Sequence, residues 1–320
     1  MFKDSANMKV FCGTSHPKLG EEISRYLGMD LSSIKVSKFS CGEIFTTINE
    51  TIRGRNVFLI QTCGINVNED LMELFITIDS CKRASARKIN VVLPHFGYAR
   101  QDKKSGPREP ISAKLMANLI TEAGADRVIT MDLHADQIQG YFDIPVDHLQ
   151  ALPLFVKYFG NKKKIDYDGM VVVAPDTGRA KAAKKFADKI GAQLAILHKT
   201  RPAHNKAEIV NVVGNVENKT VLLYDDMVDT AGSVTQGIAV LRKLGCNKDM
   251  YLVATHAVFS GPAIERLKEA NFKEVVVTNT IPLPPEKHFP GLVVLSTAPL
   301  FAEAIQRNHT NTSISEIFAD

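Results

Sequence analysis

Residues 221–233 read VLLYDDMVDTAGS. Four apolar residues suited to a buried strand run into two adjacent carboxylates, Asp225 and Asp226. A third acid, Asp229, follows, and then Thr230, Ala231, Gly232 and Ser233. In open α/β sheets ligands bind beyond the carboxyl ends of the strands, and the two acids stand at such an end. The loop from Asp229 to Ser233 leads into a helical pattern that starts at Val234. N–H groups at a helix start, with the Thr230 and Ser233 hydroxyls beside them, suit a phosphate. Gly232 lets the backbone approach closely. Carboxylates beside a phosphate cradle repel the ligand unless they accept hydrogen bonds from sugar hydroxyls. The stretch therefore reads as a ribose-phosphate site, and its plainer reading is an Asp-rich turn that caps a helix. No GxxxxGKS or GxxxxGKT occurs, so a nucleotide here is not held in the P-loop manner.

Outward from this stretch the same pattern recurs. Short apolar runs, many rich in β-branched residues, occur as KVFCG (9–13), NVFLIQT (56–62), INVVLPHF (89–96), RVITMDL (127–133), MVVVAP (170–175), QLAIL (193–197), MYLVATH (250–256) and EVVVTN (274–279). Stretches of helical period lie between them, such as 70–86 and 112–125, the latter closing on Gly124. Continuous apolar strands alternating with helices predict an α/β fold with mostly parallel sheets covered on both faces. NVFLIQ, NVVLPH and RVITMD follow one another much as TVLLYD, MYLVAT and EVVVTN do, which suggests a duplicated domain. The polar stretch RQDKKSGPREP (100–110) reads as a loop inserted into one copy.

With 320 residues the chain exceeds what one hydrophobic core usually holds. The expected division is 1–149 and 150–301, near DHLQALP (147–153) where Pro153 interrupts, with 302–320 packing back on the first domain. A composition of 45% hydrophobic and 23% charged residues is that of a soluble globular protein. The net charge of +4 suits phosphorylated ligands and is too small to argue for nucleic acid; no RNA-binding or zinc-knuckle pattern occurs. Five scattered cysteines without a CxxC pair argue against a disulfide framework or zinc site and for a reducing, cytoplasmic setting. No signal-peptide pattern and no membrane-spanning apolar run occurs.

The VLLYDDMVDTAGS stretch resembles the phosphoribosyl-diphosphate (PRPP) binding motif shared by phosphoribosyltransferases and ribose-phosphate diphosphokinases (PRPP synthetases). MDLHADQIQGYFDIPVDHL (131–149), KRASARKINVVLPHFGYARQDKK (82–104) and REPISAKLMANL (108–119) are similar to the synthetase, and the resemblance runs from Lys9 to the C-terminus. It implies two duplicated phosphoribosyltransferase-like domains and transfer of the β,γ-diphosphoryl group of Mg-ATP to the 1-hydroxyl of ribose 5-phosphate, giving PRPP and AMP. The alternatives are a noncatalytic regulatory homologue and then a PRPP-using phosphoribosyltransferase.

By this resemblance Lys199 and Arg201 in HKTRP (198–202) are the catalytic cations of a flexible loop that follows the strand QLAIL. Arg201 also joins Asp225, Asp226, Asp229, Thr230, Ala231, Gly232 and Ser233 at ribose 5-phosphate. ATP falls to Phe39, Cys41, Gly42 and Glu43 in FSCGE together with Arg100 and Gln101, with Phe39 against the base, Glu43 accepting from the exocyclic amine and Arg100 reaching phosphate. His134 and Asp176 are the magnesium-site residues. Since magnesium prefers oxygen, His134 has the alternative of contacting the triphosphate or a metal-bound water. The base pocket is completed across a subunit interface, which implies a homo-oligomer built of dimers and commonly a hexamer. A regulatory site for ADP and phosphate would use Thr51, Arg53 and Ser85, with TSIS (312–315) nearby.

The chain departs from the family pattern at several positions. Cys41 stands where Asp or Asn is usual, Gly106 where a basic residue is expected, and Thr51 where Ser is more usual. In PDTGRAKAA a usual second glycine is Arg179, and a familiar arginine three residues on is Ala182. Arg179 either blocks a close backbone approach or supplies the displaced positive charge.

Overall fold

The computed structural model describes residues 7–160, 169–203 and 206–318, without the side chains of 199–210 and 318. The chain divides into two compact units. One is Met1–Gln150 with Thr280–Pro282 and Ser296–Asp320; the other is Ala151–Asn279 with Leu283–Leu295.

The first unit opens with β1 (Met8–Cys12), α1 (Pro17–Leu27), β2 (Ile34–Lys38), β3 (Ile44–Ile48) and β4 (Asn56–Ile60). It continues with α2 (Val67–Arg83), β5 (Lys88–Leu93), α3 (Ser112–Ala123), β6 (Arg127–Met131) and β7 (Val146–Leu149). Five strands form one sheet in the order β1-β4-β5-β6-β7, each pair parallel. Apolar residues sit at nearly every position of β4, β5 and β6 because helices cover both faces. Val57, Leu59, Val91, Leu93 and Val128 join Leu71, Leu74 and Ile78 of α2 and Ala113, Ala117 and Ile120 of α3 in one core. The helices stop where the sequence signals a stop: Gly124, after α3, takes φ 119°, a left-handed value that costs glycine nothing.

β2 and β3 pair only with each other, as an antiparallel hairpin. They carry no continuous apolar run, since most of their residues keep contact with solvent. The hairpin is tied to the body where Thr46 of β3 meets Ser80 of α2, hydroxyl to hydroxyl at 2.8 Å.

The second unit contains α4 (Leu152–Gly160), β8 (Met170–Ala174), α5 (Ala180–Ile190), β9 (Gln193–Ala203), β10 (Lys206–Val213), β11 (Thr220–Val228) and α6 (Gly232–Lys243). After these come β12 (Met250–Ala257), α7 (Ala263–Ala270), β13 (Glu274–Thr278) and β14 (Leu292–Leu295), and α8 (Ala298–Thr310) returns to the first unit. Pro153 lies in the first turn of α4, where its missing N–H would be unbonded anyway.

Seven strands run in the order β10-β9-β8-β11-β12-β13-β14, parallel except that β10 is antiparallel to β9. Val221 and Leu223 face a core shared with Val234, Ile238 and Leu241 of α6. Tyr224 packs on Phe155 and Phe186, with ring centroids 6.2 and 5.1 Å away, so both faces of β11 are apolar. The chain runs from β8 out to β9 and β10 on one side and then crosses to β11 on the other, which makes the β8–β11 boundary the switch point where α/β sheets place their ligands.

Candidate functional site

At that boundary the pairing is uneven. β8 pairs with β11 from Thr220 to Leu223, whereas β12 follows β11 to Val228. Asp225 and Asp226 therefore project beyond the end of β8 while still anchored on their other side. Asp226 is buried, and its N–H donates to Asp225 Oδ1 at 2.8 Å. Burial pushes the Asp225 carboxyl well up, and the neighbouring charge of Asp226 adds to this; the Arg179 guanidinium acts in the opposite direction.

Arg179 comes from the chain leaving β8. Its Nη2 lies 2.5 Å from Asp226 Oδ2, and its Nε 3.8 Å from Asp225 Oδ1. The backbone beneath it is set by Asp176, whose Oδ1 accepts the Arg179 N–H at 3.2 Å and caps the short 3-10 turn Thr177–Arg179. The Arg179 guanidinium turns onto the acid pair.

The loop beyond is built tightly. Asp229 Oδ1 accepts the Ser260 hydroxyl, and the Asp229 carbonyl accepts the Ser260 N–H at 3.1 Å. Arg266 Nη1 donates to the Thr230 carbonyl at 2.9 Å. Ala231 adopts φ 57°, an unusual left-handed value for a residue with a Cβ, and starts α6. Gly232 leaves little room: a Cβ there would lie 3.3 Å from Arg266 Nη1. Sequence reasoning missed Ser260 and Arg266, which hold the loop from distant segments and have no local pattern to mark them.

Lys199 and Arg201 lie within β9 by backbone, and their side chains are outside the described residues. HKTRP is thus a continuation of the strand QLAIL, where a loop was expected. Lys199 and Thr200 are held extended by pairing with Ile209 and Glu208 of β10, with register shifts in the ladder.

The remaining predicted residues belong to the first unit. Phe39, Cys41, Gly42 and Glu43 form the exposed tip of the β2–β3 hairpin. The tip is closed by the Phe39 N–H on the Glu43 carbonyl at 2.9 Å and the Gly42 N–H on the Phe39 carbonyl at 2.8 Å. Phe39 is 56% exposed, with its ring centroid 5.5 Å from that of Phe45. Arg100 and Gln101 lie on the surface after β5, where Gln101 Oε1 accepts the Ser112 hydroxyl at 2.6 Å. Gly106 makes a turn in which Glu109 accepts the N–H groups of 105 and 106, both at 2.8 Å. Ser85, at φ 64°, accepts the Gly54 N–H at 2.9 Å, which brings it to the loop carrying Thr51 and Arg53. TSIS is held by Arg307, whose Nη1 donates to the Ser313 carbonyl at 2.8 Å.

His134 follows β6, half-buried, after two residues pinned to β7: the Asp132 N–H donates to the Leu149 carbonyl at 3.0 Å, and the Leu133 N–H to His148 Nε2 at 2.9 Å. Among the described residues no three His, Cys, Asp or Glu side chains gather as a metal cage. Magnesium takes one or two protein carboxylates and completes its shell with water and substrate phosphates. Asp176 offers an oxygen of this kind. No helix among the described residues is long and apolar enough to cross a membrane.

Two helix-covered parallel sheets, one with acids and hydroxyls at its switch point, define an α/β protein of phosphoribosyl type. The profile of the N-terminal domain of ribose phosphate pyrophosphokinase matches residues 8–124, and that of the phosphoribosyl synthetase-associated domain matches 200–319. Ribose-phosphate pyrophosphokinase from Synechocystis sp. is 52% identical over 316 residues, covering 98% of this chain and 94% of the relative. The same enzyme from Caldanaerobacter subterraneus subsp. tengcongensis is 52% identical over 318 residues, covering 99% of this chain and all of the relative. The crystal structure of phosphoribosylpyrophosphate synthetase from Mycobacterium smegmatis matches with a TM-score of 0.89 at 45% identity, over 95% of this chain and 99% of that one. The chain belongs to the ribose-phosphate pyrophosphokinase family.

Proposed function

We propose that this protein transfers the β,γ-diphosphoryl group of ATP to the 1-hydroxyl of ribose 5-phosphate, giving PRPP and AMP. The observation that carries this reading is similarity along nearly the whole chain, both units included, to enzymes bearing that name. A phosphoribosyltransferase reading does not account for that length.

The sugar is held at the β8–β11 boundary. The acid cluster of Asp225, Asp226 and Asp229 as a unit serves its hydroxyls, and the N–H groups and hydroxyls of Thr230, Ala231, Gly232 and Ser233 serve its phosphate. ATP lies against Phe39 at the hairpin tip, with Cys41, Gly42 and Glu43 at the base and Arg100 and Gln101 at the phosphates. In the reaction the 1-hydroxyl oxygen bonds to the β-phosphorus and the bond to AMP breaks. Charge then spreads over equatorial oxygens, and Lys199 and Arg201 neutralise it. A magnesium ion, when bound, orients the phosphates and neutralises part of their charge. Asp176 would hold it by a carboxylate oxygen, with His134 at the triphosphate or a metal-bound water.

The protein works as a homo-oligomer of dimers, a hexamer, in the cytoplasm. ADP and phosphate act at a separate site formed by Thr51, Arg53, Ser85 and TSIS. ADP titration at saturating ATP and varied phosphate tests this, and simple competition with ATP would remove the separate site. Light scattering after gel filtration tests the hexamer.

The deciding assay is AMP release from ATP with magnesium and phosphate, with and without ribose 5-phosphate, and with Lys199→Ala beside the wild type. Sugar-dependent AMP that disappears in the variant supports the reading. No AMP from folded, oligomeric protein overturns it in favour of the regulatory homologue.

A further inference from the structure

The acid pair of the opening stretch is physically uncomfortable by itself. Two adjacent carboxylates at the end of a buried strand repel each other and lose hydration. In this chain the compensation comes from Arg179, whose side chain is 17% exposed and whose planar fork is suited to carboxylates. The two acids are not equivalent partners. Asp226, with a side chain 3% exposed, takes the short contact of 2.5 Å, while Asp225, 17% exposed, lies 3.8 Å from Arg179 Nε. The acid sealed from solvent is the one bound to the cation. The one that solvent reaches is the one a ligand can reach.

Arg179 is itself held in place. Its N–H is shared between Oδ1 and the carbonyl of Asp176, at 3.2 and 3.3 Å, so the turn after β8 aims the side chain across the switch point. We infer that Arg179 is a positioning residue: it anchors Asp226 as a fixed counter-ion and thereby sets Asp225 as the acceptor for a hydroxyl of a pentose phosphate. This rests on the function proposed above and divides the labour within its sugar site. Arg179 acts through Asp226 and does not touch the sugar.

The test measures ribose 5-phosphate binding by calorimetry and KM for both substrates in Arg179→Ala, Arg179→Lys and Arg179→Ala/Asp226→Asn. Loss of a charge-assisted contact of this kind raises the ribose 5-phosphate KM and Kd about tenfold. The KM for ATP stays unchanged, and Lys, a point charge without the fork, restores part of the loss. Because Arg179 works through Asp226, the double variant is no worse than Arg179→Ala alone. Thermal unfolding run alongside separates this from damage to the fold, and Arg179→Lys carries the test if the alanine variant does not fold. Wild-type binding in Arg179→Ala, or an equal rise in both KM values, overturns the inference and leaves the proposed function standing. A full additional loss from Asp226→Asn does the same. Wild-type protein that neither binds ribose 5-phosphate nor releases AMP overturns both.

Discussion

The Thr62 hydroxyl donates to the Thr280 carbonyl at 2.7 Å, and the same oxygen accepts the His95 N–H at 3.1 Å. This pair ties the segment 280–282 to the end of β4, so the first unit includes residues from far along the chain. Thr62 is fully buried, and water cannot replace it there. Thr62→Val keeps the shape and removes both of these buried hydrogen bonds. The expected loss is roughly 2–3 kcal/mol, read as a lower urea midpoint of the first unfolding transition. An unchanged midpoint would show that the Thr280 contact contributes nothing.

Asp70 gives the first unit a pH dependence. Burial pushes its carboxyl up from 3.8 to about 6, against the pull of the Gly64 N–H on Oδ2 at 2.7 Å; Glu73 and Glu69 add to the rise. A carboxyl raised in the folded state binds its proton more tightly there than in the unfolded chain. Its contribution is therefore fully present below 3.8 and is lost as pH climbs through about 6. Asp70→Asn keeps an acceptor for Gly64 and removes this slope. Urea midpoints across that window should fall in the wild type through this group, and the variant should be flatter; parallel curves would refute it.

Gly20 lets α1 lie close on β1. A Cβ at this position would stand 2.5 Å from Cys12 Sγ and 2.7 Å from Cys12 Cβ. Gly20→Ala must push helix and strand apart, a strain of about 1–3 kcal/mol despite the better helix propensity of alanine. Chemical denaturation measures it, and a variant as stable as the wild type would mean that the contact relaxes freely.

Cys41 is exposed at the hairpin tip, where the resemblance leads one to expect an acid or amide. Under the proposed function Cys41→Asp adds one hydrogen bond to the base, worth ~1 kcal/mol, and lowers the KM for ATP about fivefold. GTP, with a different edge, gains nothing. If a nucleotide panel shows no change for ATP, the Cys41 side chain plays no part in base recognition.

The nine apolar runs all became strands, because doubly covered parallel strands need apolar residues on both faces and so write themselves as continuous runs. β2 and β3 escaped notice because a half-exposed hairpin has no such run. The extension of β9 through HKTRP escaped for another reason: its charged residues read as a loop, and only pairing with β10 keeps them extended. At the site, the acids and hydroxyls of 225–233 were legible as one contiguous stretch. Ser260 and Arg266 were not, since each reaches that stretch from a separate loop or helix.

By itself the sequence determined the class of fold, the strand that carries the acids and the family, because periodicity and contiguous motifs are short-range properties. Tertiary structure alone decided where the Arg179 guanidinium lies. Nothing local tells where an arginine after β8 will point; that is set because β8 ends beside β11 and the turn after it brings Arg179 onto the acids that run on past β8. The same holds for the composition of the first unit, which takes in Thr280–Pro282, tied to Thr62, and the C-terminal helix α8, segments that the chain delivers only after the second sheet is nearly complete.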